Sequence, residues 1–220
     1  MLHASDLLDL SHTLARPLFE KVTYPWQVLP EIGEFVRALG VKLSPDEYDS
    51  PAPLVWIHKS ALVAPSASIT GPCIVGPEAE VRHCAFIRGN VLIGAGAVVG
   101  NSTELKNAIL FDGVQASHYN YVGDSILGYK AHLGAGAITS NIKGDKSPVV
   151  VKNAGELMET GLRKFGAVVG DFVEVGCNAV LNPGTVIGRM SMVYPLTCVR
   201  GVVPPRSIVK NTGEIVPKRD

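Results

Sequence analysis

From Ile57 onward an apolar side chain recurs at every sixth position: Val63, Ile69, Val75, Val81, Ile87, Ile93, Val99, Leu105 and Phe111 follow in one phase. Four residues past each beat the side chain is usually small, as at Ala61, Ala67, Cys73, Ala79, Ala85, Ala97 and Thr103. A glycine or polar residue often follows the beat directly, as at Gly76, Gly94 and Gly100. The rhythm returns at Val169, Val175, Leu181, Ile187, Val193 and Val199, with Val173, Ala179, Thr185, Ser191 and Thr197 as partners. Helices repeat every ~3.6 residues and strands every ~2, so neither fits. Short parallel strands joined by tight turns and wound into a solenoid do fit: one apolar residue per hexad points inward, and a small one fills the corner. The chain's 23 glycines and 15 prolines supply turn conformations. Most Ile, Val, Ala and Gly between 55 and 110 therefore read as scaffold.

Composition narrows the function. Twenty basic and twenty acidic residues cancel, which argues against a non-specific grip on nucleic acid. No apolar run approaches the ~20 residues needed to cross a bilayer, and the start, MLHASDLLDL, lacks the pattern of a secretory signal. Cys73, Cys84, Cys177 and Cys198 show no CxxC spacing, so reduced thiols in a cytoplasmic protein are expected, with no metal.

The hexads stop at both ends and in two places between. Residues 1–50 are expected to form a helical extension and linker: SDLLDLSHTLAR (5–16) has leucines at roughly helical spacing, and PEIGEFVRALG (30–40) opens with Pro and closes with Gly. The linker SPDEYDSPAP (44–53) leads into a domain over 51–205, whose first coil the N-terminal region is expected to cap. His3, His12 and Trp26 read as packing or surface residues. Residues 141–166 break the rhythm with an expected loop and short helix (AGELMETGLRKFG, 154–166), and 206–220 are expected to be a tail. The other break is SHYNYVGDS (117–125), where polar and aromatic residues replace the expected Val, Ile and Gly.

That break carries a family resemblance. The hexads match those of left-handed parallel β-helices, and the stretch ELKNAILFDGVQASHYNYVGDSILG followed by GAGAITSN resembles the acetyltransferase domain of the bifunctional enzymes that make UDP-N-acetylglucosamine. It is also similar to sugar-1-phosphate nucleotidylyltransferases carrying such a domain. The resemblance covers about residues 55–205 and implies an all-β, left-handed parallel β-helix. It further implies a homotrimer with sites between neighbouring copies, and acetyl-coenzyme A as acyl donor with no metal. His118 matches the catalytic histidine and Tyr121 the tyrosine three positions on. Arg88 and Lys106 match the basic pair that holds the sugar phosphate, Asn141 an asparagine near the acyl group, and Lys146 approximately a further phosphate-side lysine. Ile142 stands where the family has an aromatic residue beside the coenzyme, Cys177 where it has a serine near the thioester, Pro195 where it has a small coenzyme-side residue, and His132 where it commonly has asparagine.

The chemistry suits these roles. Acyl transfer to a sugar amine requires a proton acceptor, and an imidazole titrates near neutral pH. A basic pair holds phosphate through charge-assisted hydrogen bonds. Arg88 and Lys106 are 18 residues apart, one coil of three hexads, and should stack on one face about 4.8 Å apart. A strict phase would put His118 on another face. No Gly-rich, Arg-containing nucleotide loop is read in these residues, so they are not expected by themselves to make a nucleotide sugar. The expected function is therefore acetyl transfer to an amino-sugar phosphate such as glucosamine 1-phosphate. The alternative is a catalytically silent trimeric β-helix that partners a separate nucleotidylyltransferase chain. A metal-dependent carbonic-anhydrase reading ranks last, because His83, His118 and His132 are too widely spaced.

Overall fold

The computed structural model describes residues 2–219, and its short strands stack in parallel into a three-sided solenoid. The chain visits the faces in a fixed order. On face I the inward column runs Ile57, Val75, Ile93, Leu110, Leu127, Val169, Ile187, Val203. Face II follows with Val63, Val81, Val99, Ala116, Leu133, Val175, Val193, Val209. Face III has Ile69, Ile87, Leu105, Val122, Thr139, Leu181, Val199. These columns form the core and are buried from the second coil onward, while Ile57, Val63 and Ile69 of the first coil are half-buried.

The register corrects one expectation. The rhythm does not stop at 117; it slips. Leu110, not Phe111, pairs with Ile93 and takes the tenth inward position. From there the beat continues through Ala116, Val122, Leu127, Leu133 and Thr139, with five-residue steps at 105–110 and 122–127. Both short steps lie at the corner between faces III and I. Most corners place the third residue past the beat in the left-handed region, including Glu78, Cys84, Asn90, Tyr119 and Asn178. The two short corners bring it forward to Asn107 (φ 50°) and Asp124 (φ 47°). Asn and Asp tolerate that conformation better than most residues.

Face I differs from the others in being buried on both sides. Its outward column of Ile74, Leu92, Ile109, Ile126, Val168 and Val186 is as apolar as the inward one, and solvent reaches almost none of it. The N-terminal arm covers it. The expected single helix over 5–16 is instead Ala4–Leu7, a 3₁₀ turn at Leu10–His12 and Arg16–Phe19; a 3₁₀ segment, Pro25–Glu31, then leads into the helix Ile32–Gly40. The breaks let the arm follow the prism from its late coils to its first. Asp171 accepts from the Asp9 N–H at 2.7 Å and donates its own N–H to Leu7 O; Asp112 N–H donates to His12 O; Gly40 lies against the Trp56 ring. Phe19 meets Phe111 edge-on, Trp26 stacks near Phe165, and His12 lies flat on Tyr129 at 3.6 Å. The arm therefore runs lengthwise along face I, and the strand that meets the first coil comes from the linker that follows it.

Antiparallel strands close the prism at both ends. Tyr48–Ala52, within the expected linker, pairs with Val55–His58. At the other end, the expected tail continues the solenoid as Ser207–Val209 and folds back as Ile215–Pro217. The segment expected to hold a short helix is a β-hairpin, Val150–Asn153 with Glu156–Glu159, turning on Ala154 and Gly155. Both turn residues have positive φ (46° and 90°), the conformation a two-residue hairpin turn needs.

Candidate functional site

The expected site residues gather around face III. Along its edge with face II, consecutive rungs bring His118, Ala135, Cys177 and Pro195 into one column, tied by bonds from Gly136 N to His118 O, Asn178 N to Ala135 O and Leu196 N to Cys177 O. His118 thus stands two rungs, about 10 Å, from Cys177. Asn120, 2% exposed, fixes this corner: its Oδ1 accepts the His118 N–H at 3.1 Å and its amide donates to Gly134 O at 2.8 Å. The His118 ring is exposed and makes no side-chain hydrogen bond or ion pair among the described residues.

The opposite edge of face III lies across a strand about three residues, or 10 Å, wide. Arg88 and Lys106 occupy successive rungs there, as the spacing predicts, since Ile87 pairs with Leu105. Each basic group already has a carboxylate partner. Arg88 Nη1 donates to Glu104 Oε1 at 2.7 Å, a bond that raises the guanidinium pKa further. Lys106 Nζ donates to both oxygens of Asp124 at 3.0 Å.

Asp124 is the hub of this edge. It also accepts from Asn107 Nδ2 at 3.0 Å and from Asn141 Nδ2, and Asn141 Nδ2 donates to Tyr121 Oη at 3.1 Å. Asn107 reaches the arm as well, donating to Leu29 O. Burial, then the nearby Asp124 and Glu104 charges, push the Tyr121 phenol pKa up. Both ends of the inserted segment are fastened here, through Phe165 N–H to Asn141 O and Gly166 N–H to Asp124 O.

The remaining expected residues lie on either side. His132 sits on face II, where Nδ1 meets Glu174 Oε2 at 2.7 Å; with Cys177 and Pro195 it lines a hollow of about 380 Å³. Ile142 lines a separate cavity of about 630 Å³ beneath the hairpin. Lys146 lies in the turn that follows, its N–H bonded to Lys143 O. Two of the residues expected on the coenzyme side, Cys177 and Pro195, are therefore together, while Ile142 lies beyond the far edge of face III. Sequence reasoning missed Glu104, Asn107, Asn120 and Asp124. A usable signal existed for one of them, since Asp124 falls 18 residues after Lys106, about one coil away. Among the described residues, no three His, Cys, Asp or Glu side chains cluster as a metal site.

Residues 69–189 match the family model described as the GMPPB C-terminal domain. The chain belongs to that family. The matched region contains every expected site residue except Pro195. Among curated relatives, the Bifunctional protein GlmU of Methanococcus maripaludis is 32% identical over 197 residues, covering 89% of this chain and 48% of the relative. A Bifunctional sugar-1-phosphate nucleotidylyltransferase/acetyltransferase from Sulfurisphaera tokodaii is 30% identical, covering 64% of this chain and 40% of the relative. The chain spans about half or less of these relatives' length. A solved structure, the acetyltransferase domain of PglB from Neisseria gonorrhoeae FA1090 in complex with acetyl coenzyme A, is 19% identical, with a TM-score of 0.43 over 74% of this chain and 57% of that one.

Proposed function

We propose that the chain transfers an acetyl group from acetyl-coenzyme A to the amine of an amino-sugar phosphate, glucosamine 1-phosphate being the leading acceptor, in the cytoplasm. One observation carries the reading: face III is bordered by the His118–Cys177–Pro195 column on one edge and by the Lys106–Asp124–Asn141–Tyr121 network on the other. Relatives whose names include an acetyltransferase activity support it.

In this scheme the acceptor amine attacks the thioester carbonyl and its proton passes to the free imidazole of His118. The tetrahedral intermediate then collapses, the C–S bond breaks, and the coenzyme thiolate leaves and is protonated. The Cys177 thiol, two rungs away, is assigned in this reading as a weak donor to the developing oxyanion. Arg88, Lys106 and Tyr121 face the acceptor's phosphate, and Asn141 holds Tyr121. A prism face is nearly flat, whereas ligand sites are concave, so a second copy in a homotrimer supplies the facing wall. Exposed Tyr119, Tyr194 and Leu196 along the His118 edge suit that contact.

A thiol-release assay with acetyl-coenzyme A and glucosamine 1-phosphate tests the reading. His118→Ala should remove nearly all turnover and leave the oligomer intact. A properly assembled wild-type trimer that releases no thiol refutes it. The Lys106–Asp124 and Arg88–Glu104 pairs, which leave the expected phosphate cations already neutralised, favour a second reading: a non-catalytic β-helix that partners a nucleotidylyltransferase chain.

A further inference from the structure

On face III carboxylates match the two basic groups one for one, Arg88 with Glu104 and Lys106 with Asp124. Cations without such partners lie just beyond its far edge. The cavity of about 630 Å³ under the inserted hairpin has Lys143, Lys152 and Arg200 in its lining against a single carboxylate, Asp145. Asp145 is engaged locally, accepting from the Ser147 N–H and hydroxyl and lying 3.5 Å from Lys143 Nζ. Lys152 and Arg200 have no carboxylate within ion-pair distance among the described residues.

The fold holds these two cations together. Lys152 is on the first hairpin strand and Arg200 just past the face III strand Cys198–Val199, and Gly201 packs so closely on Lys152 that a Cβ there would sit 2.7 Å from Lys152 O. Apolar groups line it beside the polar Ser140 and Asn182: Leu157 is 68% exposed and Ile142 39% exposed, both facing this space with Pro183. A cavity of this size, part cationic and part apolar, matches a small organic ligand bearing phosphate.

We infer that the hairpin cavity binds the phosphate end of a phosphorylated organic anion, with Lys152 and Arg200 as its anchors and Ile142, Leu157 and Pro183 as the wall for its apolar part. Such an anion has two sources in the proposed reaction, the coenzyme and the sugar phosphate. The inference rests on the cavity's chemistry and does not require acyl transfer.

Titration calorimetry of the full chain with coenzyme A, glucosamine 1-phosphate and UDP-N-acetylglucosamine tests it. At least one should bind, with affinity falling about tenfold in Lys152→Gln and in Arg200→Gln, and about a hundredfold in the double variant. Matching thermal melts and oligomeric mass establish that the variants fold. Binding confined to coenzyme A assigns the cavity to the acyl donor; binding confined to the sugar compounds assigns it to the acceptor. No binding by any probe overturns the inference, as does binding unchanged in the double variant. Turnover with unchanged binding in that variant would overturn the cavity and leave acyl transfer standing. Binding lost with the two cations, in a protein that releases no thiol, would do the reverse.

Discussion

Replacing Asp124 by Asn tests whether this carboxylate organises the far edge of face III. Asn is nearly isosteric and tolerates the φ of 47° found there, so backbone strain is not introduced. What changes is the charge, along with one acceptor oxygen that becomes a donor facing donors. The Lys106 side chain is 25% exposed and that of Asp124 6%, placing this pair between a surface bridge and a buried one. Surface pairs contribute about 0–1 kcal/mol and breaking buried pairs costs about 3–5 kcal/mol, so an intermediate loss of about 2 kcal/mol is expected for the pair. Setting the new amide against either the Asn107 or the Asn141 amide adds about 1 kcal/mol. The expected total is about 3 kcal/mol, read from urea unfolding at fixed protein concentration. A double-mutant cycle separates the two parts: in a Lys106→Met background the cost of Asp124→Asn should fall to about 1 kcal/mol, a coupling of about 2 kcal/mol. A coupling below about 0.5 kcal/mol would show that Lys106 does not depend on Asp124, and the network would not be the organising element of this edge.

Three further outcomes follow from other parts of the molecule. Gly100→Ala should destabilise by more than about 2 kcal/mol in the same assay, because its Cβ would fall 1.6 Å from Ser117 O, backbone that cannot move without shifting His118. Trp26→Ala should cost about 3–5 kcal/mol and raise dye binding to newly exposed apolar surface, since Trp26 is 2% exposed and links the arm to the insertion through Phe165; a change under 1 kcal/mol would mean the arm is not integral to the fold. Among the thiols, Cys84, Cys177 and Cys198 are exposed, while burial pushes the Cys73 pKa up to about 12. At pH 8 a thiol reagent should therefore leave Cys73 unmodified until denaturant is added.

The hexads made the solenoid legible because every inward position carries the same demand at a fixed interval. The arm's destination was legible too, but in a different signal. Runs such as CIV (73–75), VLI (91–93), AIL (108–110) and TVI (185–187) are apolar at the outward position as well, marking one face in three as covered. The insertion misled because LMETGLRKF carries apolar residues at a spacing that also suits a helix. The hairpin is settled instead by Val149 and Val151, both fully buried, and by the turn at 154–155. Resemblance pointed to Arg88 and Lys106, but their carboxylate partners do not follow from it: Asp124 falls at the 18-residue coil spacing from Lys106, whereas Glu104 falls only 16 residues after Arg88, short of that spacing.

That slip shapes the site. With a full six-residue corner, Arg88–Gly89–Asn90 places an extra residue between face III and face I, and the basic side chain turns to Glu104 on the face itself. The five-residue corner after Leu105 has no such spacer, and the next coil repeats the omission after Val122. Lys106 and Asn107 on one rung then stand over Gly123 and Asp124 on the next, register to register, and a lysine on the upper coil reaches a carboxylate on the lower one. Two matched deletions, and not any single residue, thus place a buried acid at the point where the insertion leaves and rejoins the prism. Restoring one glycine between Gly123 and Asp124 would return that corner to six residues and part Asp124 from Lys106, Asn107 and Asn141 together. The core columns would keep their pairing, because inward residues on either side of the corner would remain in register.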